Sequence, residues 1–316
     1  MYLTSSEGPP RQGREGASTP EKRELLVELF ERAAQLKRRV YESVELASAS
    51  FRELVEKARD MWVCYEPEPE DGIVRAVDSG WNYRLYPGFY IYALKAAAVD
   101  ESTKVHYAAA EVDIVAGDPY GASLTPELVL KYMAEGYEHE ISLRAAEGCE
   151  LVLVDGSLIA RLEDVSKRVS SRLRTEYAAH TKPLKGVEAV AFVSKYSHDN
   201  SLLGGPLGDV FFINMSSSTT GYTKPFTVER EGMVFSVFYV RLSDHANALR
   251  VEVPAEVGES YVRAFLDRLC GTAVQGYPYS LRVAHEVASL PHTLMDMLCR
   301  TAGLTGFYTA REVLEA

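Results

Sequence analysis

The sequence predicts an α/β protein in which helices flank a mixed β-sheet, and three observations support this class. Two short apolar runs, residues 73–77 and 151–154, contain β-branched side chains and predict buried strands. Each run is followed by an aspartate, Asp78 or Asp155, in a segment with Gly and Ser that predicts a turn. Between the two runs lie further extended stretches and one amphipathic stretch with helical period.

The elements follow one another without an internal repeat. After the first strand, residues 81–86 and 89–99 predict a hairpin around Pro87-Gly88, and residues 105–115 predict another antiparallel strand. A helix is predicted from Thr125-Pro126-Glu127 to Ala146. The later predicted strands are 151–154, 186–193, 210–215, 226–229, 233–242 and 249–254, and the later predicted helices are 162–177, 258–270 and 280–302.

The chain divides into three predicted segments. Residues 1–19 are rich in Gly, Pro, Ser and charge and predict a disordered tail. Residues 20–66 predict an N-terminal helical arm, because apolar residues recur there at steps of three and four. The arm packs on a partner or subunit, or it covers the sheet, and the pattern leaves both open. Residues 67–316 are predicted to form the sheet domain with its C-terminal helices.

Composition excludes several classes of protein. None of the apolar runs approaches the roughly 20 residues of a membrane span, so we expect no membrane association. The four cysteines are scattered without CxxC spacing, which argues against a zinc site or disulfide framework and predicts a reducing cytoplasm. The net charge of −11 argues against non-specific coating of nucleic acid. A nuclease with a local basic groove stays compatible with that charge.

The order strand–Asp, three antiparallel strands, helix, strand–Asp is typical of a ribonuclease-H-like fold. In that fold, acids on central strands and one on a helix meet over two divalent ions. Two ions activate a water and neutralise the leaving oxygen of a phosphodiester, and carboxylate ligands suit Mg²⁺ or Mn²⁺. The third acid should lie on the helix before Asp155. Glu138 and Glu140 flank its apolar stripe, whereas Glu135 is expected to be solvated.

Five motifs in this order resemble the NurA nucleases. They are DSG at 78–80, DGSL at 155–158, SK at 194–195, RVEVP at 250–254, and GYPYSL at 276–281 followed by AH at 284–285. The resemblance spans about residues 73–290. It implies a ribonuclease-H-like, Mn²⁺-dependent DNA nuclease with 5′–3′ exonuclease and single-strand endonuclease activity. It also implies a homodimer that acts with a HerA-type hexameric ATPase in the resection of double-strand breaks.

The resemblance implies a set of site residues. Asp78 and Asp155 would bind metal, Glu138 is the best match for the helical acid although Glu140 stays open, and Tyr277 and His285 would complete the site. A helix begun near residue 278 brings His285 back toward the side of Tyr277, where it could ligate a metal or move a proton.

The positions of three further residues allow two interpretations each. Lys195 follows a predicted strand at the edge where the acids lie, where it could hold a phosphate, or it is a plain surface lysine. Asp209 is a weak further metal candidate because Gly208-Asp209 also reads as a turn. Arg250 could touch DNA or form a salt bridge near Glu252.

The sequence is compatible with three functions. The first is a metal-dependent DNA nuclease. The second is a catalytically silent ribonuclease-H-like scaffold or clamp for a DNA translocase. The third is a hydrolase or phosphotransferase that acts on a small phosphate ester. The sequence contains no Walker A motif, so any motor must be another protein.

Overall fold

The computed structural model describes residues 27–33, 36, 48–117, 119–120 and 124–304. The predicted tail, residues 1–19, lies outside the described residues, as does much of the predicted arm. Residues 27–33 and 36 are helical. The chain divides into two compact units, the first ending at Glu53 and the second beginning at Leu54. The last part of the segment predicted as an arm therefore belongs to the second unit.

The second unit contains runs of strands separated by helices, and helix α1 (Ser48–Met61) begins just before this unit. The helices are α1 Ser48–Met61, α2 Pro126–Ala146, α3 Leu158–Arg168, α4 Ser171–Thr181, α5 Asp209–Ser216, α6 Glu259–Cys270, α7 Tyr279–Ala288 and α8 His292–Thr301. The strands are β1 Trp62–Cys64, β2 Val74–Tyr86, β3 Phe89–Asp100, β4 Val105–Ala116, β5 Leu151–Asp155, β6 Val190–Ser194, β7 Gly221–Thr223, β8 Phe226–Arg230, β9 Met233–Arg241, β10 Leu249–Val253, β11 Ala273–Val274 and β12 Tyr277–Pro278. A short 3₁₀ turn, Lys182–Leu184, follows α4. None of the described helices is long and apolar enough to cross a membrane.

Ten of the described strands form one mixed sheet. Its order is β1-β7-β9-β10-β6-β5-β2-β3-β4, with β8 paired to β9. The central pairs β2–β5 and β5–β6 are parallel, and the other strand pairs of the sheet are antiparallel. Helices contribute to an apolar core on each face, so the predicted mixed sheet with flanking helices is confirmed.

The central strands are buried on both faces. Val152 and Val154 of β5 pack with residues of α2, α3 and α4, whereas Leu153 between them packs with residues of α6 and α7. Side chains alternate between the faces of a strand, and both faces of β5 are covered by helices. This is why β5 is a continuous apolar run in the sequence rather than an alternating one.

The turn predicted at Asp78-Ser79-Gly80 is wrong, because β2 runs straight through these residues. Asp78, Ser79 and Gly80 pair in register with Ala97, Ala96 and Lys95 of β3. The glycine serves a close approach instead of a turn. A Cβ on Gly80 would lie 2.1 Å from the backbone oxygen of Ala288, at the end of α7.

Four other predicted elements differ from the structure. Residues 209–216 form helix α5 instead of a strand, since a short apolar run does not distinguish the two. The helix predicted over 162–177 is two helices, because Ser170 caps the start of α4. The helix predicted over 280–302 breaks at Pro291, which precedes α8. The predicted arm does not remain helical to residue 66, because β1 pairs with β7.

Candidate active site

Asp78 and Asp155 reach the same edge of the sheet. Strands β2 and β5 are parallel, and Val77 pairs with Val154, so the two aspartates occupy the next position on each strand. Asp155 also pairs with Val193 of β6, two residues before Lys195. The Lys195 Nζ atom lies 3.3 Å from Oδ2 of Asp155. The central strands thus bring two acids and one cation together.

Glu138 is the helical acid that faces this edge. Its side chain is buried on α2, with the residue only 1% exposed. Ser79 Oγ donates a hydrogen bond of 2.8 Å to Oε2, and Arg161 Nη1 lies 2.5 Å from Oε1. Glu140 instead forms a surface ion pair with Arg144 on the next turn. The structure therefore places Glu138 and not Glu140 beside β2.

Glu135 is buried as well, which corrects the expectation that it is solvated. Its Oε1 atom lies 3.5 Å from Nε of Arg161, and its Oε2 atom is buried without a hydrogen-bond partner in the part of the chain that the structure describes. The reason is the position of Arg161 between α2 and β5. A buried guanidinium draws in acids that periodicity alone assigns to the solvent.

His285 reaches Asp78 because α7 lies directly on β2 at Gly80. The missing side chain at Gly80 lets the end of α7 approach the strand. His285 Nδ1 and Asp78 Oδ2 are 2.8 Å apart, and the Ser79 backbone N–H donates to Oδ1 of the same carboxylate at 2.8 Å. The imidazole is 73% exposed, so its Nε2 atom is accessible from solvent.

Tyr277 and Lys195 lie on the Asp155 side. The Lys195 Nζ atom is 4.1 Å from the centre of the Tyr277 ring, a cation–π contact. The Tyr277 hydroxyl is buried without a hydrogen-bond partner among the described residues. Burial raises the pKa of Tyr277, and the charges of Asp155 and Asp78 add to this effect. The phenol therefore stays protonated at neutral pH.

The electrostatics of the acids are dominated by burial. Burial raises the pKa of Asp78, and the charge of Asp155 adds to it, whereas His285 and the Ser79 N–H oppose the shift. Burial raises the pKa of Glu138 to about 7, against the opposing charge of Arg161. Burial lowers the pKa of Arg161, but Glu138 and Glu135 outweigh it, so the guanidinium stays charged. For both Asp78 and Glu138, burial therefore outweighs the neighbouring positive charge, and the pKa stays above its ordinary value.

A second contact ties β2 to α2. Arg75 lies three residues before Asp78, and its Nη1 atom donates to the backbone oxygens of Ala145 at 2.7 Å and Glu147 at 3.3 Å. These oxygens belong to the C-terminal end of α2, where helical carbonyls lack partners and a cation is favoured. The strand that carries Asp78 therefore also holds the helix that carries Glu138.

Two weaker sequence candidates have other contacts. Asp209 is fully buried, and its oxygens accept hydrogen bonds from Leu202 N, Leu203 N and Tyr239 Oη. None of its described hydrogen bonds joins it to Asp78, Glu138 or Asp155. Arg250 is buried and forms an ion pair with Glu252. Of its two predicted roles, the structure therefore shows the salt bridge.

Sequence reasoning missed the roles of Ser79 and Arg161, which bind the two oxygens of Glu138. Ser79 was read as part of a turn. For Arg161 a signal exists: it stands four residues after the N-cap Ser157, near the helix end where a cation is unfavourable. An arginine at such a position requires acidic partners.

The donor set suits a hard divalent cation. Three carboxylates meet at one edge, two of them buried, beside the buried Tyr277 hydroxyl. Among the described residues, no three Asp, Glu, His or Cys side chains already form a cage for an ion. The groups that contact Asp78 and Asp155 are the exposed His285 and the half-exposed Lys195, so this edge of the sheet faces solvent. Oxygen ligands of this kind fit Mn²⁺ or Mg²⁺.

Comparison with known proteins points in one direction. The family model described as "NurA domain" matches residues 72–290. The DNA double-strand break repair nuclease NurA of Saccharolobus solfataricus is 27% identical over 110 residues. That match covers 30% of this chain and only 32% of the relative.

Solved structures share the fold over most of the chain. The NurA nuclease from Sulfolobus solfataricus has a TM-score of 0.70 at 18% identity, covering 87% of this chain and 96% of that chain. A NurA structure with manganese has a TM-score of 0.63 at 13% identity, covering 90% and 100%. One bound to dAMP and manganese has a TM-score of 0.60 at 12% identity, covering 81% and 92%. Because the family model spans well over half of its length, this chain belongs to the NurA family.

Proposed function

We propose that this protein is a metal-dependent DNA nuclease that hydrolyses phosphodiester bonds. Asp78, Glu138, Asp155 and His285 would hold divalent ions, with Mn²⁺ the expected cofactor and Mg²⁺ an alternative. Two family structures carry manganese in their names, and one of them also holds dAMP. The proposed activities are 5′–3′ exonuclease and single-strand endonuclease cleavage in the resection of double-strand breaks.

One observation carries the proposal. Asp78 on β2 lies 60 residues before Glu138 on α2 and 77 residues before Asp155 on β5, yet the three acids meet at one edge of the sheet. Asp155 contributes to the raised pKa of Asp78, and Asp78 contributes to the raised pKa of Glu138. Such mutual repulsion opposes folding unless a cation relieves it, so it is typical of functional sites.

The bound ions and the side chains of the site would have separate roles in the reaction. Divalent ions, when bound, activate a water molecule and neutralise the leaving oxygen. With Nδ1–H donating a hydrogen bond to Asp78, His285 would present Nε2 to an ion or to the attacking water. Lys195 offers a positive charge to a phosphate near Asp155. Tyr277 keeps its phenolic proton and can donate it in a hydrogen bond.

The test of this function is cleavage of end-labelled single- and double-stranded DNA with Mn²⁺, Mg²⁺ or EDTA. Cleavage should require a divalent ion, and Asp78→Ala and Asp155→Ala should abolish it without unfolding the protein, since loss of an acid also relieves repulsion. Normal cleavage by either variant would show that the site is misplaced. A folded protein that binds DNA but never cuts it would support the scaffold alternative.

The proposed partner is a HerA-type hexameric ATPase, and the proposed assembly is a homodimer to which the N-terminal helical arm contributes. The arm exposes apolar side chains in its described residues, including Leu29 and Phe30, and the net charge of −11 opposes unaided capture of DNA. Light scattering should give the mass of a dimer, and ATP with the translocase should accelerate degradation of long duplexes. A monomer whose fast degradation the motor leaves unchanged would refute this assembly.

A further inference from the structure

Arg161 is a buried cation in an unfavourable place. It lies near the N-terminal end of α3, where unpaired backbone N–H groups already carry positive partial charge. Its side chain is only 14% exposed. Neither helix stability nor solvation explains an arginine there, so its contacts must.

The guanidinium joins the elements that carry two of the acids. Nη1 lies 2.5 Å from Oε1 of Glu138 on α2, and Nη2 donates to the backbone oxygen of Asp155 on β5 at 2.6 Å. Its Nε lies 3.5 Å from Oε1 of Glu135. A planar fork with fixed angles between its donors sets both distance and orientation, which a lysine cannot do.

Gly156 makes room for this fork. Its φ of +106° lies in the region that side chains rarely adopt, and a Cβ there would stand 3.0 Å from Nη2 of Arg161. A side chain on the residue after Asp155 would therefore crowd the guanidinium, and glycine avoids this contact. The backbone at Gly156, next to Asp155, thus packs closely against the Arg161 side chain that binds Glu138.

We propose that Arg161 is a positioning residue that fixes Glu138 relative to Asp155 and thereby sets the affinity of the site for divalent cations. Arg161 occupies Oε1 of Glu138, so that Oε2, now bonded to Ser79, is the oxygen offered to an ion. Residues that orient ligands in this way influence metal affinity although they do not touch the ion. This inference rests on the proposed metal-dependent function.

The test measures Mn²⁺ affinity directly, from the electron paramagnetic resonance signal of free Mn²⁺, with no DNA present. Arg161→Lys keeps the charge and loses the fork, so its dissociation constant should rise by about tenfold or more. Arg168→Gln is the matched control on the same helix, because that guanidinium is 65% exposed and pairs only with Asp164 among the described residues. Its affinity should stay within about twofold of the wild type.

A general loss of stability is separated by a second control. Leu269→Ala removes a fully buried side chain from α6, on the opposite face of the sheet, and destabilises the fold without touching the acids. All proteins are measured at a temperature at which circular dichroism shows them folded. Arg161→Lys should lose affinity for Mn²⁺ although Leu269→Ala, with its lowered Tm, does not.

The outcomes distinguish this inference from the proposed function. Wild-type affinity in Arg161→Lys would overturn the positioning role and leave the nuclease proposal intact. An equal loss of affinity in Leu269→Ala would also overturn it, since stability would then be the cause. A wild-type protein that neither binds Mn²⁺ nor cuts DNA would refute the proposed function itself.

Discussion

Gly80→Ala should uncouple His285 from Asp78. The new Cβ would stand 2.1 Å from the backbone oxygen of Ala288, and ordinary contact begins at 3.4 Å, so α7 must retreat by about 1.3 Å. His285 lies one helical turn before Ala288. A retreat along the present 2.8 Å contact would take Nδ1 and Oδ2 to about 4 Å, beyond hydrogen-bond range.

The expected effect on activity exceeds the effect on stability. Overpacking of this kind costs about 1–3 kcal/mol of unfolding free energy, whereas a misplacement of about 1 Å at a catalytic group costs about a hundredfold in rate. We would measure thermal unfolding and the initial rate of Mn²⁺-dependent DNA cleavage. Gly271→Ala is the matched control, because Gly271 has helical φ and ψ and open space around its Cβ position.

A Gly80→Ala protein that cuts DNA at the wild-type rate would refute this reasoning. It would show that α7 yields without displacing His285, or that the contact between His285 and Asp78 is not used. Equal losses of rate in Gly80→Ala and Gly271→Ala would refute it too, since the open site at Gly271 predicts almost no effect.

Three other predictions concern single acids. Glu138→Gln should lower the cleavage rate by about a hundredfold or more. Glu140→Gln breaks a surface ion pair worth about 0.5 kcal/mol and should leave the rate nearly unchanged. The reverse order in an initial-rate assay would contradict the assignment of Glu138. Burial raises the pKa of Glu138 from 4.5 to about 7, so without metal the folded protein binds more protons than the unfolded chain between these values. The contribution of Glu138 to the free energy of unfolding is then fully present below pH 4.5 and is lost as the pH rises through about 7. Thermal melts in EDTA should show this decrease in stability with pH, and Glu138→Gln should lack it. Asp209→Ala should cost about 3 kcal/mol in denaturant unfolding, since two buried donors and one partly buried donor lose their acceptor. Cleavage per folded molecule and the Mn²⁺ requirement should persist, and a specific loss of metal binding would make Asp209 a ligand.

The part of the fold that sequence could predict is the part governed by local pattern. Parallel central strands are buried on both faces, so β5 is a continuous apolar run and its end at Asp155 is visible in the sequence. Thr125 and Pro126 mark the start of α2, as predicted. Because Asp155 ends such a strand and the helical acid lies on α2, local pattern is enough to predict both elements of this part of the site.

The rest depends on contacts between distant segments. Asp78-Ser79-Gly80 has the composition of a turn, but pairing with β3 and the approach of α7 keep it extended. Helix α5 is a short apolar run whose first residue, Asp209, is held by a loop several residues earlier. The hold of Arg161 on Glu138 spans 23 residues and leaves no periodic trace. Local propensity carries none of this information.

Strand β2 is attached to α2 at two points, through Ser79 to Glu138 and through Arg75 to the end of the helix, and this affects how the two elements move. The strand carries Asp78, and through Arg75 it grips the end of the helix that bears Glu138. A bending or sliding displacement of β2 therefore carries helix and strand together, and the spacing between their two carboxylates stays nearly constant while their position shifts. We expect thermal fluctuations of this region to be correlated, so that the strand and the helix move as a unit and the two acids keep their relative placement.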